Sequence, residues 1–140
     1  MLLSRCYAAD ASSSSPMNHE NQLWSAIWSA SVQPKVRVFI WKACKNILPT
    51  KTKLFDKGIS NSISCVWCED EVETGDHLLW GCEFAQRVWR ECPVTLPKQL
   101  HVGMAFKEFI CCCVSDLASP GLEIVFSTAW ALWKARNDVC

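Results

Sequence analysis

The sequence lacks any long apolar run. A membrane-spanning helix needs about 18 or more consecutive apolar residues, and the stretch from Phe109 to Val114 is far shorter, so no transmembrane helix is expected. A secretory signal is missing as well: the apolar start from Met1 to Ala9 is short and is interrupted by Arg5. The chain is therefore expected to be intracellular, in cytoplasm or nucleus, with reduced thiols. It has no glycine-rich phosphate loop and no Gly-x-Ser-x-Gly elbow, which removes two common signs of an enzyme. It has no internal repeat, which excludes a solenoid. His19 and His101 have no acidic or nucleophilic neighbour in sequence and read as surface residues.

Net charge is also absent, but its balance hides an asymmetry. From Lys35 to Lys57 there are seven basic residues and one acid; from Cys65 to Glu91 there are seven acids and two bases. With 140 residues, half of them hydrophobic, the composition is that of one globular domain with a real core. Eight tryptophans against one tyrosine point to a core anchored on indole rings.

Ten cysteines complete the picture, and four positions stand out. Cys65, Cys68, His77 and Cys82 form C-x2-C-x8-H-x4-C, three thiols and an imidazole. That is the ligand set of a closed tetrahedral zinc site. The short gap between Cys65 and Cys68 suits a tight turn. Thr74 is placed to cap a short helix carrying His77, and Gly81 stops that helix before Cys82. A redox pair is the first alternative, but no βαβ pattern surrounds it, and a histidine and a third cysteine follow. A decayed, metal-free site is the second. Burial as plain apolar filling does not suit a segment as acidic as Glu69, Asp70, Glu71, Glu73 and Asp76. Catalytic zinc keeps three protein ligands and an open water position, whereas four donors close the shell. A structural zinc is worth about 10–16 kcal/mol in apparent binding, which matches the roughly 5–15 kcal/mol net stability of a domain. The metal would then decide whether this segment folds.

Periodicity predicts a mainly α fold: a small irregular helical domain with a zinc-stapled Cys-Cys-His-Cys loop-helix segment. Residues 1–18 read as an N-terminal remnant, an apolar piece followed by a solvated Ser-rich linker over Ala11 to Pro16. Residues 19–92 form the metal-binding domain, and residues 93–140 a C-terminal helical extension. A helix is expected over Glu20 to Ser29, capped by Asn18, with Leu23, Trp24, Ile27 and Trp28 on one apolar face. Another is expected over Pro34 to Ile47, with Val36, Phe39, Ile40, Ala43, Cys44 and Ile47 as its stripe, ending because Leu48 precedes a proline. Thr50 caps a short helix that stops at Gly58. Further helices are expected over Glu83 to Glu91, Gly103 to Val114 and Gly121 to Asp138. Cys111, Cys112 and Cys113, on neighbouring helical positions, point to different faces and read as small apolar filling, not a metal set.

The order of these signals closely resembles the reverse transcriptase zinc-binding domain of plant LINE-like (non-LTR) retroelements. The resemblance runs from Leu23-Trp24-x3-Trp28 through Gln33-Pro34-Lys35-Val36, Phe39-x-Trp41-Lys42 and Asn46-x-Leu48-Pro49-Thr50 to the four metal positions, with Glu73-Thr74 and Trp89. Trp130-x2-Trp133-Lys134-x-Arg136-Asn137 and Ser4 to Tyr7 resemble its flanking segments. The resemblance implies that Cys65, Cys68, His77 and Cys82 bind Zn²⁺ between a reverse transcriptase and an RNase H domain. No polymerase catalytic segment and no RNase H acidic cluster accompany them, which implies an isolated piece of such an element.

Three functions compete. The first is a non-catalytic zinc module that contacts RNA or DNA through Lys35, Arg37, Lys42, Lys45, Lys51, Lys53 and Lys57, with tryptophans such as Trp41 and Trp67 stacking on bases; the plain alternative is a solvated helix face. The second is a protein-interaction or bracing module between the reverse transcriptase and RNase H domains, or a degenerate fragment with no present function. An enzyme ranks last. Neither a membrane nor a small-molecule substrate is expected as a partner.

Overall fold

A computed structural model describes residues 16–140; the expected apolar piece, most of the Ser-rich linker and the Ser4 to Tyr7 element lie outside them. Six α-helices and one π-helical turn follow in order among the described residues, with no strand beyond a single antiparallel bridge between Ser64 and Val72. The expected mainly α class is the observed one.

Helix α1, Pro16–Ser29, begins four residues before the expected Glu20. Proline suits a first helical position because its missing N–H would be unpaired there anyway; Asn18 therefore lies inside the first turn and is not the cap. Leu23 and Ile27 are buried, Trp24 is half-buried, and Trp28 is 46% exposed, so the apolar face is narrower than its spacing suggested.

Helix α2, Pro34–Cys44, buries Val36, Phe39, Ile40, Ala43 and Cys44, as the periodicity predicts. It stops short of the expected Ile47, and Pro49 is not the cause. Asn46 turns left-handed (φ 60°), its N–H bonds Ala43 O, and the N–H of Ile47 reaches back to Lys42 O. This is a Schellman ending, with asparagine in the place glycine usually takes. Ile47 is left half exposed to solvent. Helix α3, Lys51–Asp56, closes the same way on Gly58 (φ 75°).

Helix α4 spans Glu83–Glu91, as expected; α5 spans Phe106–Asp116, starting three residues late, and α6 spans Gly121–Val139. Helix α2 lies at the centre, against α1, α5 and α6. Phe39 meets Trp130 edge-on at 5.5 Å and stacks on Trp133 at 6.2 Å. A second cluster joins Trp80, Trp89 and Phe109, with Trp80 stacked on Phe109 at 4.3 Å. Such pairs each contribute about 0.5–1.5 kcal/mol beyond their burial. Their indole N–H groups are satisfied: Trp80 donates to His101 O and Trp89 to Leu79 O, both at 2.8 Å. Cys111, Cys112 and Cys113 are all buried, so the middle of α5 is enclosed while its C-terminal end, Ser115 and Asp116, is exposed. Residues before and after position 92 thus share one core. No helix among the described residues is long and apolar enough to cross a membrane.

Candidate metal centre

The site is built by two turns. The first is Cys65-Val66-Trp67-Cys68, closed by the N–H of Glu69 on Cys65 O at 2.9 Å. Glu69 carries a positive φ of 61°, the left-handed residue that lets the chain reverse after the second sulfur. The Cys65 N–H bonds Glu71 O and the Glu73 N–H bonds Ile63 O, so the returning strand-like segment pins the turn.

The second turn begins at Thr74, whose Oγ1 accepts from the His77 N–H at 3.1 Å. That is the N-cap the sequence predicts. The turn then widens into a π-helix over His77–Gly81, closed by the Cys82 N–H on His77 O at 2.7 Å. The widening has a reason. At 3.6 residues per turn, positions five apart stand about 140° round the helix from each other. An i→i+5 turn brings them back toward one side. Here the wider turn lets the His-x4-Cys spacing serve one centre. Leu78, Leu79 and Trp80 are buried and anchor it from within.

The two turns bring Cys65, Cys68, His77 and Cys82 together, with all four donor atoms within 4.8 Å of one another. The Cys65 and Cys82 sulfurs are 3.8 Å apart, and Cys68 Sγ is 3.4 Å from His77 Nε2. Donors placed about 2.0–2.3 Å from a tetrahedral zinc give sulfur–sulfur edges of about 3.8 Å and sulfur–nitrogen edges of about 3.5 Å. The residues fit a zinc ion in identity, number and spacing.

The backbone favours sulfur as anion. Burial pushes the Cys65 thiol up to about 12, against the backbone N–H groups of Cys68 and Trp67, which favour its thiolate. Burial also raises Cys82, against the N–H groups of Phe84 and Ala85 at the start of α4. At the more open Cys68 burial acts in the same upward sense, but the N–H groups of Asp70 and Glu71, with hydrogen bonds from the other two sulfurs, outweigh it and lower the thiol below its ordinary range. Each sulfur is thus met by two N–H groups, two and three residues further along the chain, an arrangement that stabilises thiolates around a cation. The Glu71 carboxylate lies 4.0 Å from His77 Nδ1, on the side away from the sulfurs. Trp67 stacks on Phe84 at 4.4 Å, packing the first turn against the start of α4.

The acidic stretch beside the site does more than face water. Asp76 accepts from the Phe106 N–H at 2.8 Å, capping α5. Glu73 is fully buried. It accepts from the Lys51 N–H at 2.6 Å, at the start of α3, and from Nε and Nη2 of Arg136 of α6, at 3.0 and 2.7 Å. Sequence spacing missed this pair because its members lie 63 positions apart. The available signal was the resemblance, which rests partly on both residues.

The seven basic residues do not behave alike. Arg37 is committed to the carbonyls of Ala30 and Val32 at the α1–α2 turn. Lys35 stands over Trp130, and Lys45 over Trp24 and Trp41. Lys35, Lys42, Lys45 and Lys57 are exposed, Lys51 and Lys53 half-buried. Among the described residues, no carboxylate forms an ion pair with any of the six lysines.

Comparison with known proteins gives one finding. Residues 4–89, more than half of the chain, match the family described as zinc-binding in reverse transcriptase. No curated protein and no solved structure matches. With a Cys3His cluster able to hold a metal ion standing inside the matched segment, the chain belongs to the zinc-binding family of reverse transcriptases.

Proposed function

We propose that the chain is a non-catalytic zinc module in which Cys65, Cys68, His77 and Cys82 bind one Zn²⁺, and that it contacts nucleic acid through its basic face. The observation that carries the first part is the convergence of the four donors within 4.8 Å, with the Cys65–Cys82 and Cys68–His77 edges at the length a tetrahedral zinc requires. Four protein donors leave no open position for a reacting water. Three thiolates would give the site a net charge of about −1 and make the ion a poor Lewis acid. The ion's contribution is to fix the two turns. The second part is supported by lysines that, among the described residues, have no acidic partner, with Lys35 and Lys45 standing over the half-buried rings of Trp130, Trp24 and Trp41. The segment from Leu23 to Trp89 supports an origin in a LINE-like element of plants, where reverse transcriptase and RNase H domains would flank it.

The test is the zinc content of purified wild-type, Cys68→Ala and His77→Ala chains. We expect about one zinc per wild-type chain, stoichiometric zinc lost in both variants, and the segment 59–91 loosened in hydrogen exchange. Unchanged zinc in both variants would remove the ligand assignment.

A further inference from the structure

We propose that the outer face of α1 and α2 is a stacking platform for single-stranded nucleic acid, with Trp28 and Trp41 receiving bases and Lys42 and Lys45 receiving phosphates. This rests on the nucleic-acid reading above and gives it a place and a substrate class.

Two helix faces make the platform. On α1, Trp24 and Trp28 are four residues apart and so share a face; on α2 and its end, Val38, Trp41, Lys42 and Lys45 occupy positions i, i+3, i+4 and i+7. The helices pack against each other and bring these faces together: Trp28 and Trp41 lie 6.3 Å apart with planes tilted 43°. The Lys45 ammonium stands 5.5 Å from the Trp24 ring and 6.0 Å from the Trp41 ring. Trp28 leaves nearly half its surface in water, and Val38 is 38% exposed.

Charge selects the occupant. Among the described residues, no carboxylate pairs with Lys42 or Lys45. Glu20, one turn before Trp24, is paired with Lys107, whose ammonium also stands 5.7 Å from the Trp24 ring. The face is therefore aromatic and cationic, the pairing that tracks a phosphate backbone while stacking its bases. Single strands follow from geometry. A duplex shows base edges in its grooves and hides base faces, whereas an exposed ring needs an unpaired base to stack on.

The experiment uses the full, zinc-loaded chain with labelled mixed-sequence single strands of RNA and DNA and the matching duplex, read by fluorescence polarisation across a salt series. We expect the single strands to bind more tightly than the duplex, with binding falling steeply as salt rises. Trp28→Ala should weaken single-strand binding by about 5- to 150-fold with its zinc content unchanged and its melt still cooperative. Lys45→Gln should reduce the salt slope by about 0.7. Binding that is unaffected by both variants but lost in Lys51→Gln/Lys53→Gln/Lys57→Gln overturns the platform and leaves the nucleic-acid reading standing. Equal affinity for duplex and single strand also overturns the platform. Failure to bind any nucleic acid at low salt removes both, and self-association lost in Trp28→Ala would then make the face a protein contact.

Discussion

Cys65, Cys68, His77 and Cys82 converge because the chain supplies a different kind of turn to each pair. The spacing disclosed which four side chains would cluster, since soft ligands at short, regular gaps are rare outside metal sites. It did not disclose the π-helical closure, because a single i→i+5 hydrogen bond leaves no mark on residue type. Nor did it disclose that Glu69 would take a positive φ, a conformation usually left to glycine, asparagine or aspartate. The thiols carry a pH prediction. Burial holds Cys65 at about 12 and raises Cys82, so both keep their protons at neutral pH in the metal-free chain, while Cys68 is lowered. Zinc takes thiolates, so binding displaces at least two protons. The bound form is favoured as pH rises and lost as it falls. We expect apparent zinc affinity, measured against a competing chelator, to fall by about a hundredfold per pH unit below neutrality. A slope below tenfold would mean that the thiols are already ionised.

At the scale of elements, the helices were legible wherever an apolar stripe met a strong local stop. Helix α4 takes the expected bounds, although Phe84 and Val88, expected on its buried side with Trp89, are only half-buried, and α6 follows its long stripe. Helix ends were less legible, because Asn46 closes α2 through backbone conformation while Pro49 offered a more obvious stop. Least legible were the links between elements. Glu73 ties the metal loop to the start of α3 and to Arg136 of α6, which itself stands 4.9 Å from the Trp133 ring. Glu73 is 0% exposed and Arg136 6%, so neither charge is relieved by water. Removing one partner leaves the other buried and uncompensated. Arg136→Met should cost about 3–5 kcal/mol in a denaturant melt. Adding Glu73→Gln should recover part of that, because a neutral amide oxygen can still accept from the Lys51 N–H. A single-variant cost under about 1 kcal/mol would show the pair to be solvated in practice.

The whole molecule is one core in which the metal segment is a wall. The π turn packs against α4 and α6, and α6 packs against α2, so the matched segment 4–89 is completed by later residues. Phe106, Phe109, Leu132 and Trp133 are buried in the same cluster as Phe39 and Ile40. A chain ending at residue 92 would leave that cluster open. We expect it to show no cooperative melt even with zinc, whereas the full chain melts cooperatively; a cooperative melt of the short chain would make residues 19–92 an independent domain. The sequence showed which helices were amphipathic, but not which faces meet, since contact between α2 and α6 depends on three-dimensional packing and not on spacing. The account stands on the metal site, and zinc X-ray absorption on the purified chain tests it most directly. We predict a shell of three sulfurs at about 2.3 Å and one nitrogen at about 2.0–2.1 Å. A shell with an oxygen from water in place of one of these donors, or a chain that carries no zinc at all, would contradict it.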